Sequence, residues 1–405
     1  MGQDNQIVIH VSAKVKKKPT AGHDYWLHWN LTQAAIARGI NWNVVGPGNQ
    51  DSHWIEGLLY GGKKYRTLQI LFPGLRVRRD AKAISKKFTT DSPTLVHIYE
   101  GGFRELLLLK ELNSLRPSWT YVFNFNLLDP WVTLLSGSRI GARTIRQIAG
   151  SIGEAAVFFA ETDNLCGLLD SETDLETKPY PLFGIAKKTG LIAQKKYDYT
   201  FFVNGDKEVQ LSLGAIREFE ARYSNAPGYY CLVPRWGSSV SITSLGSLAE
   251  RVDIVNTNLS DFEYETLMCS TKVSVLPYLD SYYVYGSSGR LLDSRTFGLP
   301  VIAPRFTAVG RQAEEMGWGP TFIQNEMQLA EAMDVSREWS VENTRNALTP
   351  SETVDLILAN VSQTTRARAN KPRRGFRLLS LGIGLVVWSQ PRLVAGNLLA
   401  LLKSR

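Results

Sequence analysis

"YGSSGRLLDSRTFGLPVIAP", Tyr285–Pro304, decides how the rest of the chain is read. The glycines and serines of Gly286, Ser287, Ser288 and Gly289 make a loop that offers backbone N–H groups without side-chain bulk. A short helix carrying one acid, Asp293, comes next, and "PVIAP" is a short buried strand. The start of a helix adds the positive end of its dipole to those N–H groups, and the combination suits an anion.

Working outward, the same alternation of strand and helix continues on both sides. Upstream lie the strands "YTFFVNG", "YYCLVP", "RVDIVN" and "KVSVLP", separated by the helical stretches "EVQLSLGAIREFEARY" and "SDFEYETLMCST". The first ~180 residues repeat the pattern with "QIVIHVS", "NWNVVGP", "RTLQILF", "TLVHIY", "WTYVFNF" and "EAAVFFA", and "HDYWLHWNLTQAAIARG" forms a helix between the first two. Such βαβ order predicts a parallel sheet covered by helices. Periodicity lapses only in "ETKPYPLFGIAKKTG", which is expected to be an interdomain hinge. Two Rossmann-like domains, 1–180 and 181–355, are therefore expected to face each other across a cleft, with a tail at 356–405.

The tail contains no Asp or Glu. Its cations Arg366, Arg368, Lys371, Arg373, Arg374 and Arg377 precede two apolar runs, "LLSLGIGLVVW" and "LVAGNLLALL". Each is shorter than the ~20 residues needed to span a bilayer. They read either as helices packed on a domain or as an interfacial pair that docks on an acidic leaflet.

Composition narrows the classes. A chain of 405 residues with 44% hydrophobic content exceeds one ordinary core, and a net charge of +8 favours an anionic partner. Cys166, Cys231 and Cys269 are odd in number and lack C-x-x-C spacing, which argues against a disulfide framework or a zinc site and for a reducing compartment. In "MGQDNQIVIHVSAKVKKKP" the basic cluster follows a very short apolar run, the reverse of a secretory signal, so a cytoplasmic protein is expected. Cations without interleaved aromatics argue against nucleic acid as partner.

The run "LSDFEYETLMCSTKVSVLPYLDSYYVYGSSGRLLDSRTFGLPVIAP" resembles, in order, the donor half of the GT-B glycosyltransferases, specifically the retaining nucleotide-sugar transferases with an E-x7-E motif. The first half is similar in layout: Gly22 follows the first strand, and "LVHIYEGG" and "VFNFNLLDPW" occupy the places of two family segments. The motif here is Tyr285-x7-Asp293 in place of two glutamates. By resemblance, Asp293 takes the acid that holds the nucleotide ribose, while Tyr285 stands where the family has a carboxylate near the donor sugar. The chain is thus expected to move a sugar from a nucleotide-sugar to a glycan or lipid-linked acceptor, with retention, without a metal and without a resident cofactor.

The resemblance extends the donor site to Gly286, Ser287, Ser288, Gly289 and Arg290, and to Lys207, Asn204 and Arg235, which compete to neutralise the departing diphosphate. Arg290 reads equally as facing phosphate or solvent, and Lys207 as a diphosphate ligand or a surface lysine. Acceptor candidates are Gly22, His23, Tyr99, Glu100 and Asn126; Glu100 is the one acid placed to act as a base or to cap the following helix. His97 reads as a core residue. No D-x-D pair or metal-spaced cluster is present. Two other classes stay open: a sugar-nucleotide epimerase, for which Glu100 would be the base, and a catalytically silent relative that binds glycan or nucleotide.

Overall fold

The computed structural model describes residues 7–11, 23–46, 54–56, 73–89, 94–125, 139–180, 194–223, 228–234, 240, 245–255, 259–339 and 348–367. The expected strand "RTLQILF" and the apolar runs of the tail lie outside them. The chain divides into two compact units: Met1–Pro181 with Ser351–Arg405, and Leu182–Pro350.

In the first unit seven parallel strands run β3-β2-β1-β4-β5-β6-β7. They are β1 (Ile7–Val11), β2 (Asn41–Gly46), β3 (Trp54–Glu56), β4 (Thr94–Gly101), β5 (Thr120–Phe125), β6 (Ala156–Ala160) and β7 (Thr177–Pro179). The helices are α1 (His23–Ala37), α2 (Pro73–Lys87), α3 (Phe103–Leu115), α4 (Arg139–Ile152) and α5 (Asp163–Thr173). Right-handed crossovers on either side of β1 put α1 on one face and the row α2, α3, α4, α5 on the other; each helix of that row packs on the next. Strand β7 falls inside the stretch read as hinge. It is only three residues long, too short for its alternation to register, and it is added to the sheet by pairing with β6.

The second unit repeats the design with six parallel strands, β10-β9-β8-β11-β12-β13. These are β8 (Tyr197–Val203), β9 (Tyr230–Pro234), β10 (Val252–Ile254), β11 (Thr271–Val275), β12 (Val301–Pro304) and β13 (Thr321–Phe322). Its helices are α6 (Asp206–Arg222), α7 (Asp261–Ser270), α8 (Gly289–Thr296), α9 (Ala308–Glu315) and α10 (Glu326–Ser336). The strands read as near-continuous apolar runs because both faces are covered: Phe201, Leu232, Val275 and Ile302 are all fully buried. Each such side chain contributes roughly 1.5–3 kcal/mol relative to exposure.

Helix α11 (Pro350–Ala367) returns to the first unit, where Asp355 accepts two hydrogen bonds from Arg38 (2.9 and 2.7 Å) and Asn360 one from Lys178 (3.2 Å). No helix among the described residues is long and apolar enough to cross a membrane. In both sheets the strand order reverses once, between β1 and β4 and between β8 and β11. Crevices at the carboxyl ends of such switch points are where open parallel sheets bind ligands.

Candidate functional site

The switch point of the second unit carries the stretch Tyr285–Pro304. After β11 the chain makes a 3-10 turn at Ser281–Val284, capped by Asp280, whose carboxylate accepts from the Tyr282 N–H (2.9 Å). The loop then passes through Tyr285 and Gly286 into α8, with Ser288 as N-cap accepting from the Arg290 N–H (3.2 Å). Gly298, at φ 68, ends that helix in the left-handed region open to glycine.

Both serine hydroxyls hold the loop in place. Ser287 donates to Gln312 of α9 (3.0 Å), and Ser288 lies 3.2 Å from the Tyr278 hydroxyl. Both serines are buried. Among the described residues, no group accepts a hydrogen bond from the N–H of Ser287, Ser288 or Gly289. Three successive N–H groups at a helix start, in a loop held by the Ser287 and Ser288 side chains, have the chemistry that suits an anion.

Glu208, in the first turn of α6, braces the crevice from the other side. Its buried carboxylate accepts from the N–H of Asn204 (2.5 Å), after β8, and of Leu279 (2.9 Å), after β11. Burial pushes the Glu208 carboxyl up, against the pull of those two amides. Asn204 donates to the Tyr283 hydroxyl (3.3 Å), and Tyr283 stacks on Tyr278 with ring centroids 3.9 Å apart. Lys207, one residue before Glu208, is exposed at the same helix start.

Asp293 and Arg290 are engaged inside the fold. The Tyr264 hydroxyl donates to Asp293 Oδ2 (2.9 Å). The Arg290 guanidinium lies over the rings of Tyr264 (4.4 Å) and Phe202 (4.6 Å), which hold it between two aromatic side chains. Burial opposes its charge, but Tyr264 and Asp293 outweigh that and raise its pKa. Burial also holds the Tyr264 phenol above its usual range.

The switch point of the first unit holds a cluster that sequence reading missed. Because β1 and β4 pair in register, His10 lies directly beside His97. Their Nδ1 atoms are 2.9 Å apart, His10 Nε2 is 2.6 Å from His28 Nδ1, and His97 Nε2 is 3.3 Å from the Tyr180 hydroxyl. Four side chains from β1, α1, β4 and the end of β7 thus form one buried chain, with Tyr99 and Trp42 packed against it. Burial drives the His97 pKa down to about 3 and that of His10 well below its ordinary value, so both imidazoles are neutral. The three histidines do not converge on one point, and no group of three His, Cys, Asp or Glu among the described residues could hold a metal. The signal available in the sequence was weak: His10 and His97 each occupy an inward position of an apolar strand.

Of the acceptor candidates, Tyr99 is buried beside that chain, and His23 begins α1. Glu100 is in β4, but its side chain lies outside the described residues, as do Gly22, Asn126 and, on the donor side, Arg235. Within the second unit, Asn204 and Lys207 follow β8, while Tyr285, the four loop residues, Arg290 and Asp293 follow β11, the neighbouring strand at the switch point.

No protein-family model matches the chain, and no curated protein matches it. Solved structures do. The N-terminal domain of trehalose-6-phosphate phosphatase from Candida albicans aligns at TM-score 0.58 and 11% identity, over 89% of this chain and 99% of that one. UDP-GlcNAc 2-epimerase from Neisseria meningitidis, bound to UDP-GlcNAc, aligns at TM-score 0.54 and 11% identity, over 88% and 100%. A lipopolysaccharide outer core galactosyltransferase in its apo form aligns at TM-score 0.51 and 13% identity, over 90% and 99%. At these identities the likeness is one of fold: the chain has the two-domain, Rossmann-like α/β fold of the GT-B type.

Proposed function

We propose that this chain is a glycosyltransferase that takes a sugar from a nucleotide-sugar and passes it to a glycan or lipid-linked hydroxyl. The observation that carries the reading is the row of three unpartnered N–H groups at Ser287–Gly289, beside Asp293 and at the switch point of the second sheet. In this reading the diphosphate of the donor lies on those N–H groups, Lys207 adds a positive charge, and the Asp293 carboxylate takes the ribose hydroxyls. As the bond between the sugar C1 and the phosphate oxygen breaks, charge builds on that oxygen, and fixed N–H dipoles stabilise it without a metal. The acceptor oxygen bonds to C1 on the same face and its proton goes to the departing phosphate, which accounts for retention without a protein base. Glu100 and Asn126 would orient the acceptor.

Two solved structures of the same fold, at TM-scores of 0.54 and 0.52, are UDP-GlcNAc 2-epimerases, which favours sugar-nucleotide epimerisation as the second reading. That reaction needs a proton-transferring group, a role that falls to Glu100. Calorimetric titration with UDP, GDP, ADP and their sugar conjugates, run beside Asp293→Ala, tests the shared premise. One nucleotide should bind, and the substitution should weaken it about tenfold or more, which corresponds to ~1.4 kcal/mol. Product analysis then separates transferred sugar from epimer. Absence of binding by any nucleotide overturns both readings and leaves a silent relative.

A further inference from the structure

The helices α2, α3 and α4 lie side by side on one face of the first sheet. Together they carry eleven Lys or Arg against three Asp or Glu, an excess equal to the formal net charge of the whole chain, +8. The acids do little to offset it at the surface. Asp80 is buried and bound by Arg104 (3.1 Å), Glu105 is buried under its own helix start, and Glu111 pairs with Arg78 (3.3 Å). Arg79, Lys82, Lys86, Lys87 and Arg143 are exposed and have no ion-pair partner among the described residues. On α2, Arg79, Lys82 and Lys86 follow helical spacing over ~10 Å, opposite the buried stripe of Val77, Ala81, Ile84 and Phe88. The next helix, α5, carries Asp163, Asp170 and Glu172 and bounds the patch.

We propose that this helical face docks on a membrane surface rich in acidic lipid headgroups. Adjacent helices lie ~8–10 Å apart, which spreads these cations in two dimensions, as a charged membrane surface is spread. Its described exposed positions include no aromatic side chain, so the stacking platform of a single-stranded nucleic-acid site is missing. An apolar side chain is present where a lipid surface would take one. Leu115, 41% exposed at the end of α3, precedes Arg116, which bonds Ser85 through its side chain (2.8 Å) and carbonyl (2.7 Å), and this ties Leu115 to the neighbourhood of Lys86 and Lys87. The proposal deepens the reading above, because an enzyme held on a leaflet meets a lipid-linked acceptor in two dimensions. It does not depend on the nucleotide site.

The test uses the full chain, with its basic tail intact, in vesicle sedimentation. Vesicles are phosphatidylcholine with or without phosphatidylglycerol. Binding should require the acidic lipid and collapse between about 0.1 M and about 1 M salt, where the Debye length falls from ~10 to ~3 Å. Each cation near an acidic surface contributes about fivefold, so Arg79→Gln, Lys82→Gln and Lys86→Gln combined should weaken binding on the order of 100-fold. These positions are exposed and far from the nucleotide cradle in sequence, so nucleotide binding serves as the check on folding. Unchanged vesicle binding by the triple variant overturns the proposal and assigns any binding to the tail. So does tighter binding of an RNA oligomer than of acidic vesicles at equal salt. Failure of nucleotide binding in the unaltered protein removes the donor reading and leaves this result standing.

Discussion

Lowering the pH from 7.5 to 5.5 should destabilise the first unit selectively, through His10 and His97. Both are fully buried and neutral, with folded pKa values depressed by burial, to about 3 for His97. In the unfolded chain each returns to ~6.5. The unfolded state therefore binds protons that the folded state does not, and stability that is complete above pH ~6.5 is lost as the pH falls. Over this interval His97 contributes ~1.36 kcal/mol, and His10, lowered in the same direction, adds to it. After burial, the other causes are repulsion from His28 on both imidazoles and from His97 on His10, and no acid is among them; the groups facing the pair are His28, Tyr99, Trp42 and Tyr180. The second unit is an internal reference, because all five histidines of the chain lie before residue 98. Its Glu208, with a raised pKa, acts in the opposite direction: it favours the fold at low pH and loses that contribution as the pH rises through its folded value. The assay is urea unfolding across this pH range, read by hydrogen exchange of the β1 and β4 amides against those of β8 and β11. A slope in the first unit below one proton, or an equal fall in both units, would refute the reasoning. His97→Gln should lower the slope.

Three further outcomes follow from single contacts. Tyr264→Phe removes the hydroxyl that donates to Asp293 and should cost about 1.5–3 kcal/mol of second-unit stability in urea, the range for a hydrogen bond to a charged group. Glu208→Gln turns one acceptor into a donor opposite an N–H. It should cost about 1–3 kcal/mol and speed exchange at the Asn204 and Leu279 amides, and unchanged exchange at both would show that the brace is absent in solution. Gly310→Ala would drive a Cβ into the Pro304 carbonyl, where α9 crosses the end of β12, and overpacking of this kind should cost about 1–3 kcal/mol by the same measurement.

The sequence carries two parallel sheets, and a Gly–Ser turn at Gly286–Gly289 ahead of a helix, in its own pattern. Those features are local. Apolar runs covered on both faces, Gly–Ser loops and helix starts are written within a dozen consecutive residues. It did not give β3, β7 or β13, which are two or three residues long and exist only because a neighbouring strand supplies their hydrogen bonds. Nor did it give what surrounds each polar side chain. Asp293 is bound by Tyr264, 29 positions away, Glu208 joins a loop 71 positions on, and His10 meets His97 across 87. Strand register and helix packing decide those meetings, and they also decide which charges are buried and neutral and which remain on the surface for a partner.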